Sequence, residues 1–165
     1  MIRSVSIQDA VVISDIYNYY VENHIATFDE VPVSVQYFED KIKQVTKDFP
    51  WFVFEGNEGV IGYAYASSWN TRSAYSKTAE VSVYLKHSVV QKGVGTQLYT
   101  KLIDTLKMED FHVLIGGISL PNEASVRLHE KFKFEKVAHF KEVGYKFNKW
   151  VDVGYWQLTV NKSKK

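Results

Sequence analysis

The stretch Tyr84-Leu85-Lys86-His87-Ser88-Val89-Val90-Gln91-Lys92-Gly93-Val94-Gly95-Thr96 joins a strand-like run to a helix-like one, and its two glycines limit how the junction can be built. Glycine takes backbone angles that other residues avoid, so consecutive N–H groups of such a loop can turn toward one point. Downstream, Leu98, Leu102, Ile103 and Leu106 recur at helical spacing, with Lys101 and Lys107 on the outside. The N-terminus of that helix opens on the loop and adds the positive end of its dipole. A phosphate fits such a junction. An unliganded tight loop can use the same residues, and Gly-x-Gly by itself does not choose between them.

Spacing removes two alternatives. A dinucleotide fingerprint needs a third glycine where this chain has Leu98, and a Walker loop needs Gly-Lys followed by Ser or Thr after four intervening residues. What remains is a pyrophosphate cradle in which residues 90–96 supply mostly main-chain donors, and acyl-coenzyme A is one common molecule that uses such a cradle.

Composition narrows the class further. Lys and Arg number 20 against 19 Asp and Glu, so no overall field attracts nucleic acid or an anionic membrane. The chain has no cysteine, which removes thiol nucleophiles, thiolate metal sites and disulfides together. No apolar run follows Arg3, and none elsewhere reaches the roughly 18 to 20 residues of a membrane span. A soluble cytoplasmic protein is the expectation. At 165 residues one domain is expected over 1–165, with a core over about 1–160 and a polar tail over 161–165, where Lys162-Ser163-Lys164-Lys165 reads as a solvated end.

In chain order, residues 2–6 read as a short strand, with Ser6 or Asp9 able to cap a helix over 10–23 that buries Val12, Ile13, Ile16, Tyr20 and Val21. Residues 24–32 break the pattern and read as a loop. Ser34 N-caps a second helix to about residue 47, with Phe38, Ile42 and Val45 buried. Residues 51–55 and 60–69 form a hairpin through a four-residue turn, Gly56-Asn57-Glu58-Gly59. After a polar loop over 70–77, the run 78–85 sets Val81, Val83 and Leu85 against Glu80, Ser82 and Tyr84, a strand with two different faces. Residues 113–118 read as a buried strand, Pro121-Asn122 as the opening of a helix to about residue 132, with Pro near its first turn. Residues 134–143 and 151–160 read as strands joined through 144–150. A hairpin in the first half and alternating strands and helices in the second predict an α/β (α+β) fold with a mixed sheet.

Glu80 sits a few residues ahead of the glycine loop, close to where an acyl thioester would end. A protonated amine must lose a proton before it attacks, and Glu80 can take it directly or through water if partial desolvation lifts its pKa from roughly 4.3 toward about 6 to 7. A solvent-facing Glu on an exposed sheet face is the alternative. Asn122, Ser125, Val126 and His129 share one helix face. Asn122 can hold a ligand amide and His129 can protonate a departing thiolate; equally, Asn122 can cap the helix and His129 can pack on the sheet. Arg72 and Tyr75 can hold a substrate carboxylate through a guanidinium fork and a phenol, or lie in solvent. His24, His87, His112 and His139 show no metal spacing, and no metal is expected.

Together, residues 69–75, 78–85, 91–95, 120–130 and 147–158 resemble the Gcn5-related N-acetyltransferase superfamily, and within it the phosphinothricin and methionine sulfone or sulfoximine N-acetyltransferase branch. The resemblance implies a single-domain acetyltransferase fold, a mostly antiparallel central sheet flanked by helices. It implies acetyl-CoA bound by Val83, Tyr84, Leu85, Gln91, Lys92, Gly93, Val94, Gly95, Thr96, Asn122 and Ser125, with no metal. It also implies Glu80 as base, His129 in the place of the superfamily's Tyr acid, and Thr27, Phe28, Arg72, Ser73 and Tyr75 around a small amine or amino-acid substrate. A homodimer is implied, with Trp150, Tyr155 and Trp156 as a reasonable part of its interface or of the core. Val90 departs from the Gln or Arg usual at its place, so a side-chain contact to phosphate is missing while main-chain donors remain. Acetylation of a peptide N-terminus or a polyamine, or acyl-CoA binding without catalysis, are the alternatives.

Overall fold

The computed structural model describes residues 1–89 and 91–161; Val90 and the tail over 162–165, on which two expectations rest, lie outside the described residues. Seven strands make one sheet in the order β1-β2-β3-β4-β5-β7-β6. They are β1 (Ile2–Ser4), β2 (Trp51–Gly56), β3 (Gly59–Ser68), β4 (Thr78–Leu85), β5 (Val113–Leu120), β6 (Glu135–Lys146) and β7 (Lys149–Thr159). Every neighbouring pair is antiparallel except β4 with β5, so the sheet is mixed and mostly antiparallel, as expected.

Both faces are covered at the first strands because β2 is apolar at successive positions. Trp51 and Val53 pack with Tyr63 and Tyr65 under α1 (Ala10–Asn23) and α2 (Val35–Val45), whereas Phe52 and Phe54 face α3 (Val94–Met108). Leu98, Leu102 and Leu106 of α3 are fully buried there, each contributing about 1.5–3 kcal/mol. The fourth helix, α4 (Glu123–Lys131), lies against β5.

One feature of the register positions the site. β4 follows β3 from Ala79 to Leu85, and β5 follows β7 along its full length, but β4 and β5 pair only at Thr78↔Val113, Ala79↔Leu114 and Glu80↔Ile115. Past Glu80 each strand keeps its outer partner and the sheet forks.

Several boundaries differ from the sequence reading. Gly56 pairs with Gly59, so the first hairpin turns through two residues, Asn57 and Glu58, and Gly59 carries the positive φ of +98°. β1 stops at Ser4, after which the Asp9 carboxylate accepts from the Ser6 amide at 2.7 Å and from the Arg3 guanidinium. Ser34 caps α2 as expected, accepting from the Tyr37 amide at 3.1 Å, but the helix ends at Val45. Pro121 lies before the N-cap Asn122 rather than in the first turn of α4, and its peptide bond is cis. The segment 144–150 is not a connection. β6 and β7 run on through it to a two-residue turn at Phe147-Asn148, both at positive φ (53° and 57°), the geometry that matches the twist of paired strands. Because neither residue is glycine, the usual hairpin signal is absent. The aromatic cluster divides accordingly: Trp150 is 65% exposed at the hairpin end, while Trp156 is buried in the core.

Candidate functional site

The fork leads into a groove of about 530 Å³ whose floor is the end of β4 and whose walls are the starts of α3 and α4. Val83, Tyr84, Leu85, Gln91, Gly93, Val94, Gly95, Thr96, Asn122 and Ser125 line it. The structure thus brings together every expected cofactor-binding residue except Lys92, which is exposed and outside the lining.

Gly93 is the N-cap of α3 at φ +83°, a left-handed angle that a side chain makes costly, and no side chain caps the helix among the described residues. Gln97 is the first amide to find a carbonyl of that turn, on Gly93 at 3.0 Å. The amides of Val94, Gly95 and Thr96 are the unsatisfied donors of a helix start. Because the Val94 side chain is buried in the core, its contribution to the groove is main chain. This matches the chemistry of a cradle for a diphosphate.

Asn122 does what the capping alternative required, its Oδ1 accepting from the Ser125 amide at 3.2 Å, and it still lines the groove. Capping through Oδ1 leaves the carboxamide N–H groups for a ligand.

At the inner end of the fork, Glu80 is half-buried and lies outside the groove lining, which begins at Val83 on β4, and its carboxylate accepts no hydrogen bond among the described residues. Burial raises its pKa above the ordinary carboxylate value, and the Lys41 ammonium opposes that shift. Lys41 comes from α2. Its Nζ donates to the Tyr65 hydroxyl at 3.0 Å, and it lines a second cavity together with Ser67, the residue paired with Glu80. In the sequence Lys41 stands three residues after Phe38 and four before Val45, on the apolar face of the helix, which marks its stem as packed but not what its ammonium meets.

Of the two readings of His129, the geometry supports the packed one. The imidazole is 3% exposed and absent from the groove lining, and a Cβ on Gly116 of β5 would stand 2.4 Å from its Nε2. Nδ1 lies 2.7 Å from the Ser125 carbonyl and must carry the proton, so Nε2 accepts from the Tyr99 hydroxyl at 3.0 Å. Burial holds the pKa below the ordinary imidazole value. Instead it is Leu128 that lines the groove, since His129 is turned a further 100° around α4. The expected acid therefore presents no proton to the groove.

The expected acceptor residues fall into two groups. Thr27 is buried with its hydroxyl bonded to Tyr17 at 2.6 Å, while Phe28 is 41% exposed, its ring lying against Gly144. Arg72, Ser73 and Tyr75 are exposed in the segment ahead of β4, and no ion pair among the described residues occupies the Arg72 guanidinium. No hydrogen bond joins the groups among the described residues, and each approaches from a different element.

Sequence reading missed Tyr20, His24, Ala26, His87, Ala124 and Leu128 in the groove lining. The first three belong to the end of α1 and the loop after it, where helical spacing marks burial but not which side of the sheet is opened.

Known proteins share this arrangement. The family model described as an acetyltransferase (GNAT) domain matches residues 2–154. A phosphinothricin N-acetyltransferase of Streptomyces viridochromogenes is 36% identical, with 94% of this chain and 85% of that protein covered. An L-methionine sulfoximine/L-methionine sulfone acetyltransferase of Pseudomonas aeruginosa is 32% identical over 99% of this chain and 96% of its own. A crystal structure of a phosphinothricin acetyltransferase from Sinorhizobium meliloti in complex with acetyl-CoA superposes with a TM-score of 0.93 at 31% identity, covering 96% of this chain and 87% of the other. With the forked sheet, the uncapped α3 N-terminus and a family match over nearly the whole length, the chain belongs to the GNAT acetyltransferases.

Proposed function

We propose that the chain transfers an acetyl group from acetyl-CoA to the amine of a small amino-acid-like acceptor of the phosphinothricin, methionine sulfone or methionine sulfoximine type, by direct attack in a ternary complex. The observation that supports this reading is the separation of β4 from β5 immediately after Glu80: the half-buried carboxylate stands where the strands part, and the lining of a groove suited to a diphosphate begins three residues further along β4, at Val83. The names of the two relatives support the acceptor class.

In the proposed reaction the free amine attacks the thioester carbonyl, the C–S bond breaks, and the thiolate leaves and is protonated. Glu80 takes the proton that the amine must lose, directly or through a water. Main-chain groups on the open edge of β4 past Glu80, over Val83 to Leu85, steady the developing oxyanion. Arg72 and Tyr75 hold the acceptor carboxylate by charge-assisted and phenolic hydrogen bonds, with Ser73 and Phe28 beside them. The test is thiol release from acetyl-CoA with a panel of amino acids, their sulfone and sulfoximine analogues, phosphinothricin, peptides and polyamines. Release confined to peptides or polyamines, or no release despite acetyl-CoA binding, overturns it.

Two further outcomes follow. Because Glu80 must be ionised to act, kcat/KM is expected to rise with pH through an ionisation above the ordinary carboxylate range. In Lys41→Met that ionisation moves to still higher pH, since the cation favouring the carboxylate is gone; a pH–rate profile of both proteins checks the direction. The second concerns assembly. Tyr145, Phe147 and Trp150 are each about half exposed or more on the β6–β7 hairpin, the surface we assign to a homodimer. Trp150→Glu is expected to yield a monomer by analytical ultracentrifugation where the parent sediments as a dimer.

A further inference from the structure

Lys146 is 2% exposed and enters none of the ion pairs among the described residues. All three donors of its ammonium go to main-chain oxygens: Tyr20 at 3.2 Å, His24 at 2.7 Å and Thr27 at 2.8 Å. The first belongs to the last turn of α1, whose carbonyls carry the negative end of the helix dipole. The other two bracket residues 25 and 26. A buried Lys is uncommon unless its charge is answered, and here the carbonyls of the α1 end and of the loop after it answer it, with the Phe147 ring 5.0 Å away and the Asp29 and Glu30 carboxylates of the same loop adding favourable charge.

That loop is the rim of the groove. His24 and Ala26 line it directly, and the Tyr84 hydroxyl, from its floor, donates to the Ala26 carbonyl at 3.4 Å. A second attachment comes from Gly144, two residues before Lys146 and so on the same side of β6. A Cβ there would lie 2.3 Å from the Phe28 ring, so Gly144 lets the ring seat against the strand. The inward side of the end of β6 is thus given over to residues 20–28.

We propose that Lys146 is a positioning residue: by fastening residues 24–27 to the β6–β7 hairpin it holds the groove rim in its binding conformation and so sets the affinity for acetyl-CoA. This rests on the groove assignment of the proposed function. It adds a residue that touches neither substrate, and it makes the hairpin part of the site.

The absence of cysteine allows a chemical rescue. Lys146→Cys, alkylated with 2-bromoethylamine while unfolded and then refolded, regains an ammonium at nearly the length of lysine. The unalkylated variant is expected to bind acetyl-CoA about tenfold more weakly by calorimetry. It is also expected to exchange amide hydrogens faster over residues 24–28, and alkylation should restore both. Leu106→Ala, in the core of α3 away from the loop, supplies a destabilised control whose acetyl-CoA affinity should match the parent. Lys146→Met, produced folded, carries the same comparison if the cysteine variant does not refold. Unchanged affinity in the Lys146 variants, or an equal loss in Leu106→Ala, overturns the proposal. A parent protein that binds acetyl-CoA yet releases no thiol with any acceptor removes the proposed reaction and leaves this inference standing.

Discussion

Glu80→Gln is expected to lower turnover by about 100- to 10,000-fold while acetyl-CoA affinity stays within about threefold of the parent. The amide keeps the shape and hydrogen-bonding reach of the carboxylate but cannot accept the amine proton. Since Glu80 stands at the inner end of the fork and the uncapped amides of α3 at the outer end, the two functions should separate in measurement. Single-turnover thiol release with calorimetry on the same samples checks this, and equal turnover across pH would take Glu80 out of the mechanism.

The same substitution has a stability consequence of determined sign. Burial raises the folded-state pKa of Glu80 above its unfolded value, so the native state binds the proton more tightly and ionisation costs stability. That cost is present above the folded pKa and disappears as pH falls below the unfolded one. Glu80→Gln should therefore melt higher than the parent at alkaline pH, the difference shrinking on acidification through the raised ionisation. A half-buried carboxylate is destabilising when ionised, and under the proposed mechanism neutralising this one should exchange activity for stability.

His129→Ala is expected to cost about 3 kcal/mol, because it opens a cavity beside Gly116 and leaves the Tyr99 hydroxyl buried without its partner. For a chain of this size that corresponds to a melting temperature lower by about 6–12 °C. Below that temperature turnover should fall by less than about tenfold, whereas removal of a general acid typically costs about 100- to 10,000-fold. Denaturation and turnover measured on one preparation separate packing from proton transfer. A large kinetic loss in a well-folded variant, with loss of an alkaline limb in the pH profile, restores His129 as the acid and overturns the packed assignment.

The glycine junction, the alternation of β4 and the apolar stripe of α3 were legible because each is a local pattern. Gly93 needs its backbone angle whatever surrounds it, and period-2 and period-3.6 burial follow from strand and helix geometry. The groove lining from β4 through Thr96 was accordingly readable by position. The hairpin at Phe147-Asn148 was not, because Asn148 takes a left-handed angle readily but pairing of β6 with β7 holds Phe147 at one its residue type does not suggest. Residues 144–150 read as a connection, and Lys146 was hidden with them.

What the sequence by itself determined is the set of elements, the sheet class and the family, since hydrophobic period, glycine placement and motif order are all carried along the chain. Which way a side chain faces at a strand fork, and what meets it there, only the tertiary structure decided. Glu80 stands at the inner end of the fork because β4 and β5 diverge beside it, His129 is locked because Gly116 leaves space for its ring, and Lys146 is buried because the end of α1 and the loop after it, more than a hundred positions earlier, set three carbonyls on its ammonium. Each depends on contacts between segments distant in the chain, and such contacts leave no local periodicity to read.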